Sequence, residues 1–573
     1  MPYRSAFTHT GALILALTLI LQSSLAQAAV EPVSASSATV GWFGAVPFTN
    51  HVASSPVLGG GYPVQPVTNA YVPGTCGPQP LNSNRSESWI AVKPGTEDLI
   101  GLSKFFISKW STFYDFHLGS YTILGGTPAG NNQVQGYECT TLGGNQDMPP
   151  SWTMNTDPNV DFDTQGRAYQ VTLPFNAYWQ NMHPNAAVMA SYTDDMGRHW
   201  VTANGGKPLE TSPNSSSLQY GHVEDKQFIA VNHIPGHVYQ DHVYAVWSVF
   251  NGAPNGGSVD LRISVSRDRG ATFSRYNSFP MPSVSGRQNF YVQPSIDANG
   301  DLYIAFASTE QDKKSGQATL WVAKSTDDAN TFSFYRAVTG VGLIPSCCLP
   351  NTTFRDGIAE SFAASPTYPG HLYMAYEDWD IATGQFDVKF VQSRDGGANW
   401  SAPRKVNDNP ESAALGYTDQ FQPTIAAGPG GAVAIAFYDR RQACPSDPSV
   451  LADDVGNTNF CIDTTLQAYK DTGGAAVPVA PNVRISEFTW DPMNPGQHVG
   501  GIGQMACAAH RDPCTERAFI GDYFGLAISG GNIYALSVST HYPSFVPADE
   551  GGLVYYQQQV LATVPRWAFG AGY

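Results

Sequence analysis

Charged residues make up only 13% of this 573-residue chain, and many of them gather in short stretches. One set reads Arg85-Ser86-Glu87-Ser88, Glu224-Asp225-Lys226-Gln227, Arg355-Asp356 with Glu360 close behind, Tyr417-Thr418-Asp419-Gln420 and Gly521-Asp522-Tyr523. A second set reads Glu377-Asp378-Trp379-Asp380, Tyr438-Asp439-Arg440-Arg441 and Thr540-His541-Tyr542. Mixed charges of this kind have a chemical use. A guanidinium grips a carboxylate through two parallel hydrogen bonds. A nearby carboxyl group can give or take a proton in a reaction. If the fold brings these stretches to one face, that face is a candidate active site for an acidic substrate. Other chemistries lack their motifs: there is no G-x-S-x-G, no H-E-x-x-H, no phosphate loop and no dinucleotide fingerprint. The 13 histidines are scattered, and no metal-ligand spacing emerges. No motif demands a cofactor; calcium is the one ion an acidic mouth would suit.

Such residues need elements to hold them, and two interleaved repeats supply these. The first has the form S/T-x-D-x-G-x-x-W/F. It occurs at Thr193–Trp200, Ser266–Phe273, Ser325–Phe332 (Ala329 in place of glycine) and Ser393–Trp400. Asp and Ser side chains bond nearby backbone N–H groups, and glycine takes a positive φ, so the repeat reads as a turn. An EF-hand reading fails for want of oxygen ligands and a Glu at position 12. The second repeat is a short apolar strand, a turn and an aromatic-rich strand, as in Gln293–Phe306, Glu360–Tyr376 and Gln422–Phe437. Further copies start near Trp89, Val160, Phe228 and Tyr523, giving seven starts spaced mostly by roughly 60–70 residues. Together the repeats predict four-stranded antiparallel units arranged radially: an all-β propeller of six or seven blades. The first set of charged stretches then enters innermost strands, and the second follows second strands.

The four turn motifs resemble the Asp-box, or bacterial neuraminidase repeat, of the sialidase-like propellers, over roughly residues 85–560. The resemblance implies boxes on the face opposite the active site. It implies a secreted exo-glycosidase acting on an acidic glycan, with arginines clamping a carboxylate, a tyrosine nucleophile activated by a glutamate, and a carboxylic acid-base. On that pattern Tyr438 is the nucleophile candidate and Glu377 or Glu360 its base. Asp439, Asp419 and Asp522 are acid-base candidates, and Arg355, Arg440 and Arg441, with Asp378, line the substrate. The family's opening Phe/Tyr-Arg-Ile-Pro motif is absent from this sequence. A polysaccharide lyase on the same scaffold, and a non-catalytic propeller binding glycan or protein, stay open as alternatives.

Composition sets the remaining bounds. Gly 56 and Pro 41 suit many turns, and a net charge of −17 without a basic stripe argues against a nucleic-acid partner. Arg4, the apolar run at 11–21 and Ala26-Gln27-Ala28 predict a signal peptide over 1–28, hence a secreted or periplasmic protein with no span in the mature chain. Residues 29–84 read as an extended leader and 85–573 as the propeller, with a long disulfide-containing insertion at about 440–518. The eight cysteines fit export; sequence-local pairing suggests Cys444–Cys461, Cys507–Cys514 and Cys76–Cys139, and leaves Cys347-Cys348 for a vicinal bond or distant partners. A glycan or polysaccharide substrate and a monomeric state complete the expectations.

Overall fold

The protein is described here from a computed structural model. It describes residues 38–39, 46–54, 84–106, 116–133, 154–175, 186–212, 222–251, 258–279, 288–309, 316–345, 348–357, 360–412, 416–444, 458–492, 502–503, 519–545 and 553–573. The signal-peptide stretch, Cys76, Cys139, Cys347, Cys507 and Cys514 lie outside them.

The described residues are strands and turns with a few short 3-10 segments and no α-helix. Seven antiparallel units follow one another along the chain. Their first strands are Arg85–Val92, Met154–Thr156 with Asp161–Phe162, His222–Val231, Gln288–Ile296, Glu360–Ala364, Gln420–Ala427 and Gly525–Ile528. In each unit the second strand pairs back on the first and a third on the second, for example Glu360–Ala364, Leu372–Asp380 and Gln385–Ser393. A single parallel bridge, Val259 to Gln288, joins the third and fourth units into one sheet. The first strand of every unit packs on that of the next, and Gly525–Ile528 packs on Arg85–Val92, so the order of neighbours closes on itself. Closure is also covalently distant: Pro47–Val52 pairs with Gln558–Pro565, so a strand from the predicted leader sits in the last unit.

The strands are apolar on both faces because each lies between two sheets. The buried side chains divide accordingly. Ile100, Leu102, Met189 and Trp200 pack between the first and second units, and Val171, Val231 and Trp247 between the second and third. Val246, Ile263 and Phe306 lie between the third and fourth, and Tyr303, Leu320 and Met374 between the fourth and fifth. Tyr373, Phe390 and Ile435 follow, then Ala436, Phe524 and Val538, and Ile90, Leu536 and Leu561 close the circuit. Each fully buried aliphatic or aromatic side chain is worth about 1.5–3 kcal/mol.

The four S/T-x-D turns share one hydrogen-bond pattern. In the second, Ser266 Oγ donates to Asp268 Oδ1 (2.9 Å), Gly270 N–H donates to Ser266 Oγ (2.8 Å), and Thr272 N–H donates to Asp268 Oδ1 (2.8 Å). The same bonds recur around Asp195, Asp327 and Asp395. Gly197, Gly270 and Gly397 take φ of 80°, 85° and 94°, and Ala329 takes 63° in the degenerate copy. Every turn follows the third strand of its unit. The third strand runs parallel to the first, so the turns lie at the end where first strands leave, opposite the end where they begin.

The stretch read as one insertion is in part regular structure. Asp463–Lys470 is the third strand of the sixth unit, flanked by Val477–Pro478 and Val483–Arg484. It lacked the turn motif: Asp471-Thr472-Gly473-Gly474 replaces it, so the repeat was hidden. Cys444–Cys461 is a disulfide that closes the loop before this strand. Cys348 is also disulfide-bonded. No helix among the described residues is long and apolar enough to cross a membrane.

Candidate functional site

Four first strands carry a bulge near their beginning. The register shifts at Ser86/Ser88, Asp225/Phe228, Phe290/Gln293 and Phe421/Thr424. Within the bulges Glu87, Lys226, Tyr291 and Gln422 have φ of 40°, 50°, 59° and 45°. Asp157, between the two pieces of the second unit's first strand, has φ 58°. Such left-handed backbone costs about 1–3 kcal/mol per non-glycine residue and persists only where surroundings impose it. A bulge re-aims its side chain, and here the re-aimed side chains meet.

Lys226 is the hub. Its Nζ lies 2.6 Å from Asp522, 3.9 Å from Asp157, 4.0 Å from Glu87 and 5.6 Å from the centre of the Tyr291 ring. Lys104 reaches Glu87 at 2.6 Å and Asp157 at 4.0 Å. Arg355 grips Asp522 with two bonds, Nε to Oδ1 at 3.0 Å and Nη2 to Oδ2 at 2.6 Å. Gln422 Nε2 donates to Asp356 Oδ1 (3.2 Å) and to the Gly521 carbonyl (2.9 Å). Each of the seven units thus contributes: Glu87 and Lys104, Asp157, Asp225 and Lys226, Tyr291, Arg355 and Asp356, Gln422, and Asp522. Beneath them Trp89 packs edge to face on Phe228 and Tyr523, which tilt against each other, with ring centres 5.1–6.0 Å apart. Glu87 and Asp157 are sealed from solvent, whereas Asp225, Tyr291, Arg355, Asp356 and Asp522 are half-buried and form the open side.

The environment drives the carboxyl groups apart. Burial pushes Asp356 up to about 8, with the Asp419 and Asp522 charges adding to it. Burial pushes Glu87 up to about 7 against the pull of Lys104, and Asp225 up to about 6 against the pull of Lys226. Burial also opposes the charge of Asp522, but Arg355 and Lys226 hold that carboxyl far below the usual range. At neutral pH the cluster therefore holds a protonated acid, ionised acids and fixed cations side by side. Pairs of acids separated in this way are how one site runs acid and base chemistry together. Asp356 Oδ2 is buried and has no hydrogen-bond partner among the described residues.

The structure brings Arg355 and Asp522 of the sequence-derived set into this cluster, and Glu377 supports it. Glu377 is buried and its Oε2 accepts the Gln422 N–H (2.8 Å), holding the bulge. The others are not brought into one cleft. Tyr438 is sealed between the sixth and seventh units against Phe421, Phe524 and Trp490, with its hydroxyl accepting the Val538 N–H at 3.0 Å. Arg440 is buried and bonded to Asp419 (3.2 Å) and to the carbonyls of Pro350 and Phe460. Arg441 is paired with Asp439 and Asp408, both at 2.7 Å. The Tyr438–Arg441 stretch is therefore consumed as a buried anchor of its own loop. Asp378 Oδ1 accepts the Gly342 N–H (2.8 Å). Glu360 is buried between the fourth and fifth units, and burial pushes its carboxyl well above the usual range.

Sequence reasoning named the stretches holding Glu87, Asp225, Lys226 and Asp356 without choosing those residues, and it missed Lys104, Asp157, Tyr291 and Gln422. A positional signal existed. Glu87, Lys226 and Asp522 each stand two residues before an inward aromatic: Trp89, Phe228 and Phe524.

No protein-family profile matches the chain, and no curated protein matches it. Among solved structures, 206 chains match. They include the Hadza microbial sialidase Hz136, at 12% identity and TM-score 0.38, covering 80% of this chain and 75% of that one. Trypanosoma rangeli sialidase in complex with sialic acid matches at 12% identity and TM-score 0.38, covering 82% of this chain and 59% of that one. The α-L-arabinofuranosidase Arb93A from Fusarium graminearum matches at 11% identity and TM-score 0.36, covering 72% and 95%.

Proposed function

We propose that the seven units are the blades of one propeller and that the cluster at its axis hydrolyses a glycosidic bond in an acidic glycan. The observation that carries this reading is Asp356, a carboxyl that burial pushes up to about 8, next in the chain to Arg355, which keeps 35% of its side chain exposed. Asp356 gives its proton to the glycosidic oxygen as the C–O bond breaks. Asp225, ionised above about 6, takes a proton from the water that completes hydrolysis. Arg355 and Lys226 supply positive charge for an anionic group on the sugar. Lys226 and Arg355 are themselves positioned by Asp522, and Gln422 positions Asp356.

The test is a screen of the purified protein on sialosides, uronic-acid polysaccharides and neutral glycans, with Asp356→Asn in parallel. Turnover of an acidic glycan, lost in the variant, supports the reading. An unsaturated, ultraviolet-absorbing product would make the protein a lyase. Binding without turnover, unchanged in the variant, would make it a lectin-like propeller.

A further inference from the structure

A second cluster lies between the second and third units, built by Glu210–Thr211, His222–Val231 and Val243–Asn251. His222 Nε2 stands 3.2 Å from Glu210 Oε1 and 3.4 Å from Glu224 Oε1. All three atoms lie within 4.8 Å of one another. Both glutamates are buried, Glu224 completely. The far oxygen of each carboxylate is already held: Trp247 Nε1–H donates to Glu210 Oε2 (2.5 Å), and Ser212 Oγ–H donates to Glu224 Oε2. The far nitrogen of the imidazole is held too. Asn251 Nδ2 donates to Asp260 (2.9 Å), which turns Asn251 Oδ1 toward His222 Nδ1 at 3.1 Å and makes Nδ1 the protonated nitrogen. Glu224 Oε1 has no hydrogen-bond partner among the described residues.

We infer that Glu210, His222 and Glu224 form a binding site for a first-row divalent cation such as Zn²⁺. Three inner atoms, Oε1, Nε2 and Oε1, converge while every outer atom is fixed by a donor or acceptor. This is the arrangement that metal ligands share, in which second partners set the tautomer and orient the carboxylates. Ligands bonded at about 2.0–2.2 Å stand roughly 3.0–3.4 Å apart around tetrahedral or octahedral zinc, and the two distances from Nε2 match that edge. One imidazole with two carboxylates suits zinc or manganese better than calcium, which takes oxygen ligands alone. Arg262 Nε lies 3.9 Å from Glu210 Oε1 and is the competing cation. With an imidazolium at His222 it would balance both glutamates and leave no need for a metal. Both states use the same side chains, so the measurement must separate them.

The experiment is calorimetric titration of the purified, chelator-treated protein with Zn²⁺, with Ca²⁺ as comparator, followed by the visible absorption of the Co²⁺ form. One saturable equivalent of Zn²⁺ is expected. His222→Gln and Glu224→Gln should each weaken it more than tenfold, and Asn251→Ala by about 10–100-fold. His222 is partly exposed, so its variant keeps the fold, checked by circular dichroism without metal. No zinc uptake by the wild type, preference for Ca²⁺, or equal uptake by all three variants would overturn the assignment and leave an ion-pair network. Activity at the axial cluster does not enter this test.

Discussion

Replacing Asp356 by Asn removes a proton donor and little else. The amide keeps an oxygen for the Gln422 Nε2–H bond and fills the same volume. With the carboxyl at about 8, roughly nine chains in ten carry the proton at pH 7. At the ordinary value of 3.8 fewer than roughly one in a thousand would. Losing a positioned general acid costs about 10²–10⁴-fold in rate. Asp356→Asn should therefore lower kcat by that factor on an unactivated glycoside and much less on a nitrophenyl glycoside, whose leaving group needs no proton. KM should change little. The wild-type profile should be bell-shaped, rising through about 6 as Asp225 ionises and falling through about 8 as Asp356 does. Stability gives a reading that needs no substrate. The folded value of Asp356 lies above its unfolded value, so its contribution is complete below about 4, falls progressively as pH rises from there, and is fully lost once pH has passed about 8. The Asn variant has no charge to bury, so its melting temperature should gain on that of the wild type as pH rises from about 4 to 8, and the difference should level off above 8. Full activity of Asp356→Asn on the unactivated substrate, or a melting difference that does not depend on pH, would refute the assignment.

Three further outcomes follow from the same geometry. Asp522→Ala leaves Lys226 with only the longer contacts to Asp157 and Glu87 and takes the carboxylate from the partly exposed Arg355, and should lower stability by about 1–3 kcal/mol in a denaturant titration. Asp268→Ala should cost about 1–2 kcal/mol through its lost turn hydrogen bonds and leave turnover unchanged, because the turn lies at the far end of the strands. Asp327 is held below its ordinary value by hydrogen bonds from Thr331, so its stabilisation is present above pH 3.8 and is lost as pH falls; acid melts of Asp327→Asn should lose that dependence.

Seven strand starts, with six or seven blades left open, were legible because strands sealed between two sheets must be apolar throughout, and because the turn motifs need Asp, Ser and glycine at fixed offsets. The sixth unit was the exception, since Asp463–Lys470 ends in a turn without the motif. The N-terminal strand was illegible for another reason. Pro47–Val52 pairs locally only with the two-residue strand Ala38–Thr39, and its main partner, Val560–Thr563, lies at the other end of the chain. The site was legible as a set of stretches but not as residues. A strand alternates faces every residue, so an error of one moves a side chain to the wrong side. Arg440 and Asp439 looked like site residues by charge and proved to be spent on Asp419 and Arg441.

The bulges explain why the choice could not be made from pattern alone. In an unbroken strand, Glu87 and Lys226 would point into the apolar spaces between sheets, where a charge is costly. One extra residue turns each of them out of that space, at the expense of a left-handed φ. The expense is met by neighbours that over-determine the position: Glu377 holds the Gln422 N–H, and Gly521 packs against the backbone of Glu87. Gly521 has φ 106°, and a Cβ there would stand 2.5 Å from the Glu87 nitrogen. Gly521→Ala should therefore push Glu87 and Asp522 apart and lower stability by about 2 kcal/mol or more. It should also loosen Arg355 and Lys226, so that the acid limb of the pH profile moves while Asp268→Ala leaves it in place. A Gly521→Ala protein with wild-type stability and profile would show that strain at the bulges does not hold the cluster together.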